Sequence, residues 1–96
     1  MEQLSKIKLI LQQLKPELVE RFHVNVIGLF GSVVRNDFSP KSDIDIIVDF
    51  SSPIGIEFID LADLIEKKLN RKVDLVSRNA VKDKFFKVIE QEIIYV

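Results

Sequence analysis

Ninety-six residues with 14 basic and 15 acidic side chains, three glycines, one histidine and no cysteine predict a single domain, 1–96, with one modest core. These counts exclude a disulfide framework, thiol nucleophiles, cysteine- or multi-histidine-based metal sites, the glycine-rich dinucleotide fingerprint and the Gly-Lys-Ser/Thr phosphate loop. The formal net charge of −1 is not that of a protein that grips nucleic acid by its phosphates, and no stretch approaches the roughly 20 apolar residues of a membrane span or reads as a signal peptide. A cytoplasmic protein with no membrane partner and no direct nucleic-acid partner is expected.

The first segment carries apolar residues at helical spacing: Leu4, Ile7, Leu11, Leu14, Leu18 and Phe22. Pro16 falls inside it. Proline suits a first helical turn rather than an interior, so the expectation is one helix to about Lys15 and a second from Pro16 to about Phe22. His23 follows and carries no predicted role. Val24 to Phe30 reads as a strand by its β-branched content, and Gly31-Ser32 then opens a short helical turn. Ser39, Pro40 and Lys41 form a loop.

Asp43 to Phe50 is the clearest strand. Its period of two places Ile44, Ile46, Val48 and Phe50 on one face and Asp43, Asp45 and Asp49, with Ile47, on the other. A helix follows with Phe58, Leu61, Ala62, Ile65 and Leu69 in register, ending at Asn70-Arg71. Lys72 to Ser77 is a third strand, with Val73 and Leu75 facing opposite to Asp74. A last helix is expected from about Val81, carrying Phe85, Val88, Ile89 and Glu92-Ile93. The twenty-odd residues between the second and third strands include a helix and suit a parallel βαβ crossover. The fold class is therefore α/β (α+β), with a small three-stranded mixed sheet flanked by helices.

The acidic strand face is where chemistry would sit. Asp43 and Asp45 are about 6.5–7 Å apart along the strand and point the same way. Neighbouring carboxylates repel unless a cation lies between them, and hard oxygen donors suit Mg²⁺ or Mn²⁺. If the third strand lies beside the second, Asp74 joins the same face, and three carboxylates could hold two divalent ions about 3.5–4 Å apart. Solvation alone would be the plainer explanation of one Asp-X-Asp, but aspartate is disfavoured in strands. Gly31-Ser32 supplies backbone N–H groups and a hydroxyl that can meet phosphate, and Arg35 lies one turn beyond. Together these residues read GSx₁₀DxD, a combination that this composition produces by chance roughly once in a thousand such chains.

Gly31-Ser32-Val33-Val34-Arg35, Ser42-Asp43-Ile44-Asp45-Ile46-Ile47-Val48 and Val73-Asp74-Leu75-Val76 resemble the minimal nucleotidyltransferases of the DNA polymerase beta-like nucleotidyltransferase superfamily, over nearly the whole chain. The resemblance implies catalytic and metal-binding roles for Asp43, Asp45 and Asp74, nucleotide-phosphate binding by Gly31, Ser32 and Arg35, ATP as substrate and two Mg²⁺ ions. It also implies an antitoxin of HEPN/MNT toxin–antitoxin systems, an adenylyltransferase that moves AMP from ATP to a tyrosine of a HEPN toxin ribonuclease. The alternatives are a non-catalytic antitoxin acting by occlusion and a small-molecule nucleotidyltransferase. The chain departs from the family pattern at Val33, where arginine is frequent, and at Asn36, where glycine is. Larger relatives carry a second helical domain, so a HEPN partner or a second copy of the chain is expected to complete the site. From Arg71 to Lys87 six basic residues face two acidic ones, a surface suited to a triphosphate or an acidic partner. The adjacent Phe85 and Phe86 suggest one exposed anchor or a broad buried face.

Overall fold

The computed structural model describes residues 2–35 and 41–96. Asn36, Ser39 and Pro40, singled out in the sequence, lie outside them. The elements in chain order are α1 (Glu2–Phe22), β1 (Val24–Phe30), a 3₁₀ turn (Gly31–Val33), β2 (Ile44–Phe50), α2 (Glu57–Leu69), β3 (Val73–Ser77), a second 3₁₀ turn (Arg78–Ala80), α3 (Asp83–Ile89) and β4 (Ile94–Tyr95).

The break expected at Pro16 is not there: α1 runs through it as one helix. The apolar stripe keeps its phase across the proline, with Leu11, Leu14, Leu18 and Phe22 all buried in one core cluster. Two helices with an altered axis could not hold that stripe in register. Pro16 itself is exposed, as is Gln12, whose carbonyl loses its helical donor to the proline and can turn to water instead. Packing of the inner face outweighs the local penalty.

His23 ends α1 in the left-handed region (φ 57°). Its carbonyl accepts the Ser51 N–H at 2.8 Å and the Ser51 hydroxyl at 3.2 Å, which ties the start of β1 to the end of β2. Asn70 closes α2 in the same conformation (φ 54°), its N–H donating to the Glu66 carbonyl, an arrangement that asparagine tolerates better than most residues.

The sheet is mixed and has four strands, in the order β3-β2-β1-β4, not the three expected. The β1–β2 and β1–β4 pairs are antiparallel and β2–β3 is parallel, so β2-α2-β3 is the predicted βαβ unit. The two-residue β4 is too short to carry a periodicity of its own. It docks where Gly28 of β1 leaves room: a side chain there would run into the Ile93 Cγ2 and the Tyr95 ring. The last helix is also shorter than expected, and Glu92 and Ile93 lie beyond it.

One sheet face is covered by α1 and α2. Ile27, Leu29, Ile44, Ile46 and Val48 pack there against Leu11, Leu18, Leu61 and Ile65, all essentially inaccessible to solvent. The other face carries the aspartates. Ile47 also lies on it, yet is only 3% exposed, because Val26, Phe86, Arg78 and Tyr95 surround its end of the face. Of the phenylalanine pair, Phe86 is half-buried under the Arg78 guanidinium, 3.7 Å from the ring centroid, and Phe85 is exposed. No helix among the described residues is long and apolar enough to cross a membrane.

Candidate active site

The strand register assembles the predicted residues. In β1–β2, Phe30 lies opposite Asp45. The residues that follow β1, Gly31 and Ser32, are therefore delivered beside the residues that open β2. In β2–β3, Asp45 lies opposite Asp74, and residues paired across neighbouring strands project to the same face. Asp43, two positions before Asp45, precedes β2 and shares that side. Asp43 and Asp74 are exposed and Asp45 is half-buried. The start of β2 is held from outside the sheet: the Ser42 carbonyl accepts Arg71 Nη2 at 2.9 Å, and the Ile44 N–H donates to the Lys72 carbonyl at 3.0 Å.

The 3₁₀ turn after β1 is made possible by Gly31. Its φ of +76° lies in the left-handed region, and an added Cβ would overlap the Asp45 carboxylate. Both facts call for glycine. The Gly31 carbonyl then accepts the N–H groups of Val34 (3.1 Å) and Arg35 (3.2 Å), closing the turn. Ser32 is partly exposed. Val33, the departure from the family pattern, points the other way: it is 2% exposed and belongs to the core cluster. In this chain position 33 supports the turn from beneath.

One residue at the site was not singled out in the sequence. Glu92 Oε1 accepts the Gly31 N–H at 2.9 Å, and Arg35 Nη1 donates to both Glu92 oxygens at 3.3 and 3.2 Å. The β1–β4 ladder pairs Leu29 with Ile94 and Gly28 with Tyr95. Continued by two residues, the same register sets Glu92 across from Gly31. The only local signal was a carboxylate standing just before the apolar run Ile93-Ile94-Tyr95-Val96. It reads equally well as the tail of an amphipathic helix.

The electrostatics are those of crowded acids. The Asp45 carboxyl titrates above its ordinary value of 3.8, chiefly because burial disfavours its charge. The carboxylates of Asp74 and Asp43 push it further up, the Arg35 guanidinium opposes them, and Glu92 adds to the rise. Hard carboxylate oxygens crowded on one face are the donor type that suits a divalent cation such as Mg²⁺ or Mn²⁺. Among the described residues no three acidic side chains yet close on a common point. The register supplies the proximity of the main-chain positions.

Comparison with known proteins gives one consistent result. The family described as "Polymerase beta, Nucleotidyltransferase" matches residues 12–96. The protein adenylyltransferase MntA of Thermococcus cleftensis is 43% identical over 94 residues, 97% of this chain and 95% of its own length. A Methanocaldococcus jannaschii chain named as a protein adenylyltransferase, MJ0128, is 43% identical over the full length of both. Among solved structures, a minimal nucleotidyltransferase superposes with a TM-score of 0.75 over 94% of this chain and 88% of its own, at 24% identity. A mutant MntA–HpeT toxin–antitoxin crystal structure superposes with a TM-score of 0.66 at 22% identity, over 96% of this chain and 70% of the other. At these identities the two structures speak for the fold.

Proposed function

The chain belongs to the polymerase beta nucleotidyltransferase family, and on that premise we propose that it moves AMP from ATP to a tyrosine hydroxyl of a HEPN-type toxin ribonuclease, acting as its antitoxin. The observation that carries this reading is the register pair Asp45–Asp74, with Asp43 on the same face and the Gly31-Ser32 turn directly beside them. Relatives of the same length at 43% identity bear the name protein adenylyltransferase. A chain of this fold occurs in a toxin–antitoxin structure.

In this mechanism the Ser32 hydroxyl and the turn receive the nucleotide phosphates, and Arg35 balances their charge. Asp43, Asp45 and Asp74 would hold divalent cations, which would supply Lewis-acid stabilisation of charge on the phosphate oxygens. Asp74, at the outer edge of the acidic face, takes the proton of the incoming hydroxyl. That oxygen forms a bond to the α-phosphorus as the bond from the α-phosphorus to the bridging oxygen breaks, and pyrophosphate leaves in line. The exposure of Asp43 and Asp74 leaves this face accessible to a protein substrate.

The test is transfer of label from ATP labelled at the α-phosphate, with Mg²⁺ and a HEPN-type toxin as acceptor. The Asp43→Ala/Asp45→Ala variant is expected to lower labelling roughly a thousandfold or more, and it should lose protection against the toxin in parallel. An unlabelled toxin that the double variant still inhibits would establish occlusion in place of catalysis.

A further inference from the structure

The Gly31 N–H and the Arg35 guanidinium converge on a carboxylate to which the transfer mechanism assigns no part. Glu92 comes from the far end of the chain, after α3. Its own N–H donates to the Ile89 carbonyl at 2.9 Å, and the residues after it pair with the middle of β1, so its main chain is anchored on both sides. Its side chain is well covered, and Arg35 is more than half exposed.

What Glu92 does at that position is specific. It accepts the N–H of a glycine held at φ +76°, and both of its oxygens accept from Arg35 Nη1. Hydrogen bonds to an ionised acceptor are about twice as strong as neutral ones. Groups ordered before a ligand arrives cost it less to bind.

We propose that Glu92 is a positioning residue of the phosphate site: by fixing the Gly31 peptide and the Arg35 guanidinium, it sets the affinity of the chain for the β- and γ-phosphates of the nucleotide. The inference rests on the nucleotidyltransferase reading. It adds the C-terminal segment to the binding machinery and assigns it to the polyphosphate end of the substrate.

Calorimetric titration of the full chain with ATP and, separately, with AMP, both with Mg²⁺, tests it on wild type, Glu92→Ala and Glu92→Gln. The alanine variant loses both contacts. The glutamine variant keeps an oxygen for the Gly31 N–H and the side-chain volume, but not the charge that holds Arg35. ATP affinity is expected to fall about tenfold in Glu92→Ala and about threefold in Glu92→Gln. AMP, which lacks the β- and γ-phosphates, is expected to bind all three chains alike. An equal loss for ATP and AMP would mean a structural brace only and overturns the proposal. So does unchanged ATP affinity in the variants, and so does tighter ATP binding, which would make Glu92 a competitor of phosphate. If the alanine variant does not fold, the ATP-to-AMP contrast in Glu92→Gln decides alone. A wild-type chain that binds no ATP fails at an earlier step and removes the nucleotidyltransferase reading along with this one.

Discussion

Opposing electrostatic demands fall on Asp45. Burial, Asp74 and Asp43 raise its pKa above 3.8, against the pull of Arg35. The native state therefore binds a proton at Asp45 more tightly than the unfolded chain does. Stability on this account is fullest below about pH 3.8 and declines as pH rises through the interval between 3.8 and the raised native value. Above that interval the ionised carboxylate is a standing cost to the fold. Asp45→Asn should consequently raise the melting temperature by a few degrees at pH 7 and leave it nearly unchanged at pH 3, while abolishing transfer. Melting curves of both chains at the two pH values check this, and a destabilised Asp45→Asn at pH 7 would refute it. The like-facing of Asp43 and Asp45 was legible from the strand period alone. The raised pKa was legible only in part: the sequence placed Asp74 on this face on condition that β3 lies beside β2, whereas burial and Glu92 reach Asp45 through packing of distant segments.

At the level of the element, α1 shows local propensity and tertiary packing in conflict, with packing prevailing. An interior proline costs a helix about 3 kcal/mol, yet α1 continues through Pro16 because the stripe from Ile7 to Phe22 is buried along its whole length. The penalty is still present in the native state. Pro16→Ala should raise the unfolding free energy by an amount up to about 3 kcal/mol, read as a higher urea midpoint at an unchanged slope. A lower midpoint would mean that Pro16 shapes the helix in a way the core requires. The phase of the stripe across Pro16 was available in the sequence and is the stronger of the two signals. The β4 strand was not available: two residues have no period, and the close approach that admits them depends on the bare Cα of Gly28 on another strand.

Across the whole molecule, acids from three separate stretches are brought near one another at the same end of the sheet: Asp43 and Asp45, then Asp74, then Glu92. In a chain of net charge −1 this is a local excess, and a divalent cation that binds only the folded state must stabilise it. At a concentration a hundredfold above its dissociation constant the gain is about 2.7 kcal/mol. Mg²⁺ or Mn²⁺ is therefore expected to raise the melting temperature of the wild type and to leave Asp43→Asn/Asp45→Asn unmoved. An equal rise in both chains would place the ion elsewhere. The basic residues between Arg71 and Lys87 serve partly to build the fold, since Arg71 reaches the Ser42 carbonyl and Arg78 lies over Phe86 and pairs with Asp83.

The sequence by itself determined the local facts. Ile44, Ile46 and Val48 face inward while Asp43 and Asp45 face out, a glycine and a serine close β1, and a helix separates two parallel strands. All of these follow from side-chain periods and backbone sterics within a few residues. The tertiary structure alone decided that β1 lies between β2 and β4, that Phe30 lies across from Asp45, that Asp74 takes the register position opposite Asp45, that a fourth strand completes the sheet, and that Glu92 comes to rest on Gly31. Register between distant segments is set by the packing of two helices on one face and by the space that Gly28 leaves on β1. No short stretch of sequence contains that information.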